Sequence, residues 1–148
     1  MVFVVYYSKN DKINLYRYLL SEIVYNNLPT SLQNDSRIRV FKYSPARIID
    51  RQQIKKIIQN EESLFNPDVA FTIFGPAYVF FKCPHLVGFA DPWVTHASKL
   101  AMNILSFKSR IRMQLLIKYK KSYLSANDYY WVEAPIAARG LKKILNIL

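Results

Sequence analysis

Two short apolar runs, each fenced by proline and glycine, constrain this chain more than any other feature. Residues 68–74 follow Asn66-Pro67 and stop at Gly75-Pro76. Residues 85–91 lie between Cys83-Pro84 and Asp91-Pro92. Near-continuous apolar runs of this length suit strands covered on both faces, which is the environment of a parallel sheet. Residues 37–43 alternate apolar and basic side chains ahead of Pro45, the pattern of a strand nearer an edge. Residues 128–134, rich in aromatics and stopped by Pro135, read as a fourth strand.

Helical spacing fills the intervals. Residues 47–65 repeat Ile48, Ile54, Ile57, Ile58 and Leu64, with Asp50 placed as an N-cap. Residues 98–124 form the longest helical stretch, in which Leu100, Ile104, Phe107, Ile111, Leu115 and Tyr119 recur at core-like 3–4 spacing. Residues 135–148 read as a closing helix with Pro135 in its first turn. Strands alternating with helices imply right-handed crossovers. The expectation is a single α/β domain over 1–148: a Rossmann-like, mostly parallel sheet with helices on both faces. The 68–74 and 85–90 strands would be joined by a short, irregular crossover, because parallel pairing needs about a dozen residues of connection. The N-terminus admits two assignments. Residues 1–7 are a strand followed by a helix over 12–28, or residues 14–20 are the strand and 1–7 the end of a helix. The β-favouring aromatics in 14–20 favour the second.

At 148 residues and 51% hydrophobic composition, one packed core is expected. Three glycines leave no Gly-rich linker. Cys83 is the only cysteine, which rules out an intramolecular disulfide and a thiolate metal cluster and makes a cytoplasmic setting the default. No window approaches the length of a transmembrane helix, and residues 1–7 are too short for a signal-peptide core. The net charge of +11 is unevenly spread. Residues 1–91 carry 11 basic and 8 acidic side chains, whereas residues 92–148 carry 10 basic and 2 acidic. The second part therefore projects a positive field toward phosphates, nucleic acid or anionic lipid.

Parallel α/β sheets bind ligands at the carboxyl ends of their strands, which directs attention to two loops. The first, Gly75-Pro76-Ala77-Tyr78, follows the first apolar run. The second runs from Asp91 to His96 and contains Trp93 and Thr95. His96 is the candidate base or phosphate-pairing cation, and Asp91 the group to orient it or accept a proton. Gly75, Pro76, Tyr78, Trp93 and Thr95 are candidate substrate contacts. The same residues also serve ordinary turn, cap and packing roles. His85 begins an apolar strand and reads as structural. No metal-ligand spacing, dinucleotide glycine fingerprint, P-loop or serine nucleophile elbow is present in the sequence.

Residues 98–124 hold seven cations and no acid. An interfacial contact with anionic lipid through Lys108, Arg112, Lys118, Lys120 and Lys121 is the first functional expectation, and nucleic acid ranks second because no reader motif occurs.

The run 66–78, the run 82–93 and the later 128–134 with Gly140-Leu-Lys-Lys143 together resemble the N-terminal domain of bacterial family 4-type glycosyltransferases, over residues 14–148. The resemblance implies one half of a GT-B fold, in which this half receives a glycan or lipid-linked acceptor and a C-terminal domain binds the nucleotide-sugar donor. It implies transfer without a bound metal or other cofactor, in surface-polysaccharide synthesis at the inner face of the cell membrane. It also implies that a Gly-rich loop before Asn14 and a donor domain after Leu148 would be missing, so that the isolated chain would not transfer sugar. The rival from another class is a non-catalytic basic module that binds nucleic acid or a protein partner.

Overall fold

The computed structural model describes residues 14–42, 47, 49–125 and 127–146. The expectations for residues 1–7, Ile48, Pro45 and the last two residues of the closing helix lie outside them. The elements are β1 (Tyr18–Ser21), α1 (Glu22–Asn26), α2 (Thr30–Gln33), β2 (Ile38–Phe41), α3 (Arg51–Phe65), β3 (Ala70–Thr72), β4 (His85–Gly88), α4 (Pro92–His96), α5 (Lys99–Ile104), α6 (Phe107–Lys121), β5 (Tyr129–Trp131) and α7 (Pro135–Leu145). This is a mixed α/β chain in which every strand pair among the described residues is parallel. β1 pairs with β2, placing Tyr18 opposite Ile38. β3, β4 and β5 form a second sheet in that order, with Ala70 opposite His85 and Val87 opposite Tyr130.

The apolar runs are strands, as their fencing predicts, but the hydrogen-bonded parts are shorter than the runs. β3 ends at Thr72 because the chain then bends across the end of β4: the Gly75 N–H donates to the Gly88 carbonyl at 2.8 Å. Glycine is required at this crossing. A Cβ on Gly88 would collide with the carbonyl oxygen of Ile73, and one on Gly75 with the Val87 side chain. The expected parallel sheet of the 68–74, 85–90 and 129–134 strands is present as β3, β4 and β5, while among the described residues β1 and β2 pair in a sheet of their own. Of the two N-terminal assignments, the one that makes residues 14–20 a strand is nearer the structure, with pairing moved toward Ser21.

The crossover from β3 to β4 contains no helix among residues 73–84. It packs on α3 instead: Ala77 and Val79 join Ile54 and Ile58 in one buried cluster, with Leu19 and Phe81 against it. The Glu62 carboxylate, buried on α3, accepts the Lys82 N–H at 2.6 Å and the Cys83 N–H at 3.2 Å and so pins the return into β4. Burial and the Glu62 carboxylate push the Cys83 thiol above its usual range, so it stays protonated. A second cluster joins Phe89, Val94 and Leu141, flanked by Tyr130 and Val132. There α7 lies against α4, and a Cβ on Gly140 would strike the Thr95 carbonyl.

Several helical expectations change. Asp50 occupies the position before α3 but makes no side-chain cap, and its carboxylate stands 3.3 Å from Arg47 Nε. Leu64 points to solvent. The single helix expected over 98–124 is two helices, divided at Leu105 and Ser106, where Ser106 caps α6 through the Ser109 N–H. The stripe expected to enter the core faces outward for most of its length: Leu100 is 73% exposed, Ile104 79%, Phe107 77%, Ile111 43% and Leu115 64%. Periodicity places Phe107, Ile111 and Leu115 on one face of α6 but does not say which way that face turns, and it does not foresee the break that puts Leu100 and Ile104 on a separate helix.

Candidate functional site

The loops after β3 and β4 meet where α3 begins and α6 ends. Tyr78 holds a left-handed backbone, φ 60°, a costly conformation for a bulky residue. Its ring stacks on Tyr119 at 5.9 Å between centroids and tilts against Tyr123 at 5.4 Å. Tyr119, in the last turn of α6, and Tyr123, two residues beyond its end, meet edge-on at 5.5 Å, and Phe80 stacks on Tyr123. The Arg51 guanidinium, from the first residue of α3, lies 4.5 Å from the Tyr119 ring, 4.8 Å from Tyr123 and 5.8 Å from Tyr78. Its Nη1 donates to the Tyr123 hydroxyl at 2.6 Å. Arg51 Nε and Nη2 and the Tyr119 hydroxyl are buried with no hydrogen-bond partner among the described residues. Aromatic faces offset part of that cost through cation–π attraction. The remaining donors are chemically unfilled.

Asp91 sits beside this cluster. Its Oδ1 accepts the N–H groups of Trp93 at 3.0 Å and Val94 at 3.4 Å, capping α4. Its Oδ2 pairs with Lys120 Nζ at 2.5 Å. Burial pushes the Tyr78 phenol above its usual value. Lys120 and Arg51 oppose the shift and Asp91 adds to it, so the two loops share one electrostatic environment.

The candidate residues thus divide. Tyr78 and Asp91 come together. Pro76 is buried and shapes the loop, whose Gly75–Pro76 bond is cis. Gly75 serves the close crossing with β4. Trp93 is half-buried on α4. Thr95 donates its hydroxyl to the Asp91 carbonyl at 3.1 Å and lies 2.7 Å from His96 Nδ1. His96 is exposed, and the expected orientation by Asp91 is absent: that carboxylate is occupied by α4 and Lys120, and the ring is held by Thr95 instead. Lys108, Arg112, Lys118 and Lys121 are exposed, whereas Lys120 is turned inward to Asp91, which corrects its assignment to an unpaired cationic face. Among the described residues, no three His, Cys, Asp or Glu side chains stand together as a metal site.

Arg51, Tyr119, Tyr123 and Glu62 were not singled out as site residues from sequence. The i, i+4 spacing of Tyr119 and Tyr123 marks a shared helix face. No local signal identifies Arg51, whose hydrogen-bond partner Tyr123 lies 72 residues away along the chain.

His85 is structural, as expected. It is 3% exposed, with Nε2 2.9 Å from Thr72 Oγ1 and Nδ1 3.3 Å from Asp128 Oδ1. Burial drives the imidazole below its ordinary value, against the opposing pull of Asp128. The folded chain therefore holds it neutral, while the unfolded chain takes up a proton near pH ~6.5. Stability is full above that pH and falls as the pH drops below it. Thermal unfolding followed between about pH 7.5 and about pH 5 is expected to show this loss, with a shallower slope in His85→Gln. Equal slopes in the two proteins would remove His85 from the account.

A cavity of about 480 Å³ lies elsewhere, lined by residues 14–17 just ahead of β1, and by Ser36, Arg37, Arg39 and Phe65. It is at the amino ends of β1 and β2, away from the converging loops. Comparison with known proteins finds no protein-family model, no curated protein and no solved structure that matches this chain.

Proposed function

We propose that this chain is the acceptor-side half of a sugar-transferring enzyme, and that the cluster around Tyr78 and Arg51 receives a hydroxyl-bearing acceptor. One observation carries the reading: the half-buried rings of Tyr78, Tyr119 and Tyr123 gather around the Arg51 guanidinium beside a carboxylate–ammonium pair. A sugar offers the complement, hydroxyl oxygens around its rim and an apolar face of C–H groups. Parallel pairing of β3, β4 and β5 supports the placement, since such sheets present their ligands at the carboxyl edge. In the transfer, the acceptor oxygen bonds to the anomeric carbon of a nucleotide-sugar and gives up its proton. The nucleoside diphosphate leaves with the electron pair. His96, exposed on α4 next to this edge, is the candidate to take the proton, and positioning supplies much of the rate.

The test is acceptor binding by the 148-residue chain, read by ligand-observed NMR against oligosaccharides and polyprenyl-phosphate-linked sugars. Binding near ~1 mM is expected for half a cleft, about −4 kcal/mol. Tyr78→Gly keeps the left-handed backbone and removes the ring, and should weaken binding about tenfold, or ~1.4 kcal/mol. Acceptor binding that ignores this substitution, or no acceptor binding at all, would defeat the reading.

A further inference from the structure

The outward face of α5 and α6 combines two properties that a solvated surface does not need together. Phe107, Ile111 and Leu115 recur every four residues, so they line one face of α6, and Ile104 ends the adjoining α5. All four are exposed. Lys118 and Lys121 continue that face toward the C-terminal end of α6, and Lys108 and Arg112 border it. All four cations are exposed, with no ion pair among the described residues. No acidic residue occurs anywhere in 92–127. Arg110 makes the two helices one surface: its Nε donates to the Met102 carbonyl at 3.0 Å and its Nη2 to that of Asn103 at 3.3 Å, fixing the end of α5 against the first turns of α6.

We infer that α5 and α6 dock this chain on an anionic lipid surface. Ile104, Phe107, Ile111 and Leu115 enter the boundary between headgroups and acyl chains, and Lys108, Arg112, Lys118 and Lys121 meet the lipid phosphates. Charge selects an anionic partner. The contiguous apolar row selects lipid over nucleic acid, because a polyphosphate offers nothing to cover it. No helix among the described residues is long and apolar enough to cross a membrane, so the contact is interfacial. The inference is independent of sugar transfer, and either can fail alone.

Flotation with phosphatidylcholine vesicles, with and without phosphatidylglycerol, tests it. Binding should require the anionic lipid and weaken with added salt. Lys108→Gln with Arg112→Gln should weaken it about 25-fold, roughly fivefold for each cation. The decisive variant is Phe107→Gln with Leu115→Gln, which leaves the charge unchanged. Both side chains are exposed, so the fold tolerates the change, and binding should fall at least about tenfold. Phe107→Trp should shift its emission to shorter wavelength on anionic vesicles alone. Several results would overturn the inference: vesicle binding unaffected by the double Gln variant, equal binding to neutral vesicles, DNA binding without vesicle binding, or a concentration-dependent dimer that the double Gln variant dissolves while vesicles do not bind.

Discussion

Gly88→Ala is expected to destabilise the fold by about 3 kcal/mol, lowering the unfolding temperature by roughly 10 °C. The added methyl would meet the carbonyl of Ile73, a backbone atom fixed by the turn that carries the chain over β4. Relief requires the segment after β3 to lift away, which stretches the Gly75–Gly88 hydrogen bond and disturbs Tyr78 downstream. Alanine's better backbone entropy offsets at most ~1 kcal/mol of this. Gly75→Ala should cost less, because its obstacle is the Val87 side chain rather than backbone, although Val87 is buried and has little room to turn. Chemical denaturation of the two variants measures the ordering. A Gly88→Ala protein within about 0.5 kcal/mol of the parent would mean that the chain does not cross β4 here.

Asp91→Ala should lose about 2 kcal/mol, and Asp91→Asn about half of that. Two roles end together in the alanine variant: the cap on α4, worth ~1 kcal/mol, and the partner of Lys120. The pair is partly exposed, with side chains 16% and 25% accessible, so solvent screens it and ~1 kcal/mol is a fair estimate for its loss. Asparagine keeps an oxygen for the Trp93 and Val94 N–H groups and loses only the charge. A double-mutant cycle with Lys120→Met isolates the pair term. If Asp91→Asn and Asp91→Ala proved equally stable, the cap would carry no weight. These values also bear on function, because His96 is exposed and its alanine variant should leave stability unchanged. In a protein that also carries a donor domain, a loss of transfer in His96→Ala would then report chemistry, whereas a loss in Asp91→Ala would mix chemistry with folding.

The strands were legible because their boundaries are covalent facts. Pro67, Pro76, Pro84 and Pro92 interrupt hydrogen-bond ladders wherever they fall, and the apolar runs between them have few other ways to be buried. The short crossover between β3 and β4 was legible from its length alone. The separate pairing of β1 with β2 among the described residues was not, since it depends on contacts between elements rather than on either strand's own sequence. Nor was the crossover's anchor: Glu62 reads as one more helix-surface acid until the Lys82 and Cys83 N–H groups are brought to it.

For the candidate site, sequence placed Tyr78 and Asp91 at strand ends and tertiary structure supplied their company. Loop chemistry singled out Asp91 and His96 as neighbours, but folding gave the carboxylate to Lys120, a residue counted among unpaired cations. A charge pattern records which ions are near in sequence, and pairing is settled by distance in space. The stripe from Leu100 to Tyr119 makes the same point for apolar residues. From Phe107 onward its spacing fixed a common face by helix geometry alone, and its Tyr119 end does turn inward, to Arg51 and Tyr78. Which way the rest turned depended on what other elements left uncovered, and they left Ile104, Phe107, Ile111 and Leu115 facing out. Sequence thus determined element type, strand ends and periodic faces, because these follow from backbone sterics and side-chain spacing over a few residues. Tertiary structure decided which faces are buried, which charges pair and which aromatics surround Arg51, because those depend on contacts between residues far apart in the chain.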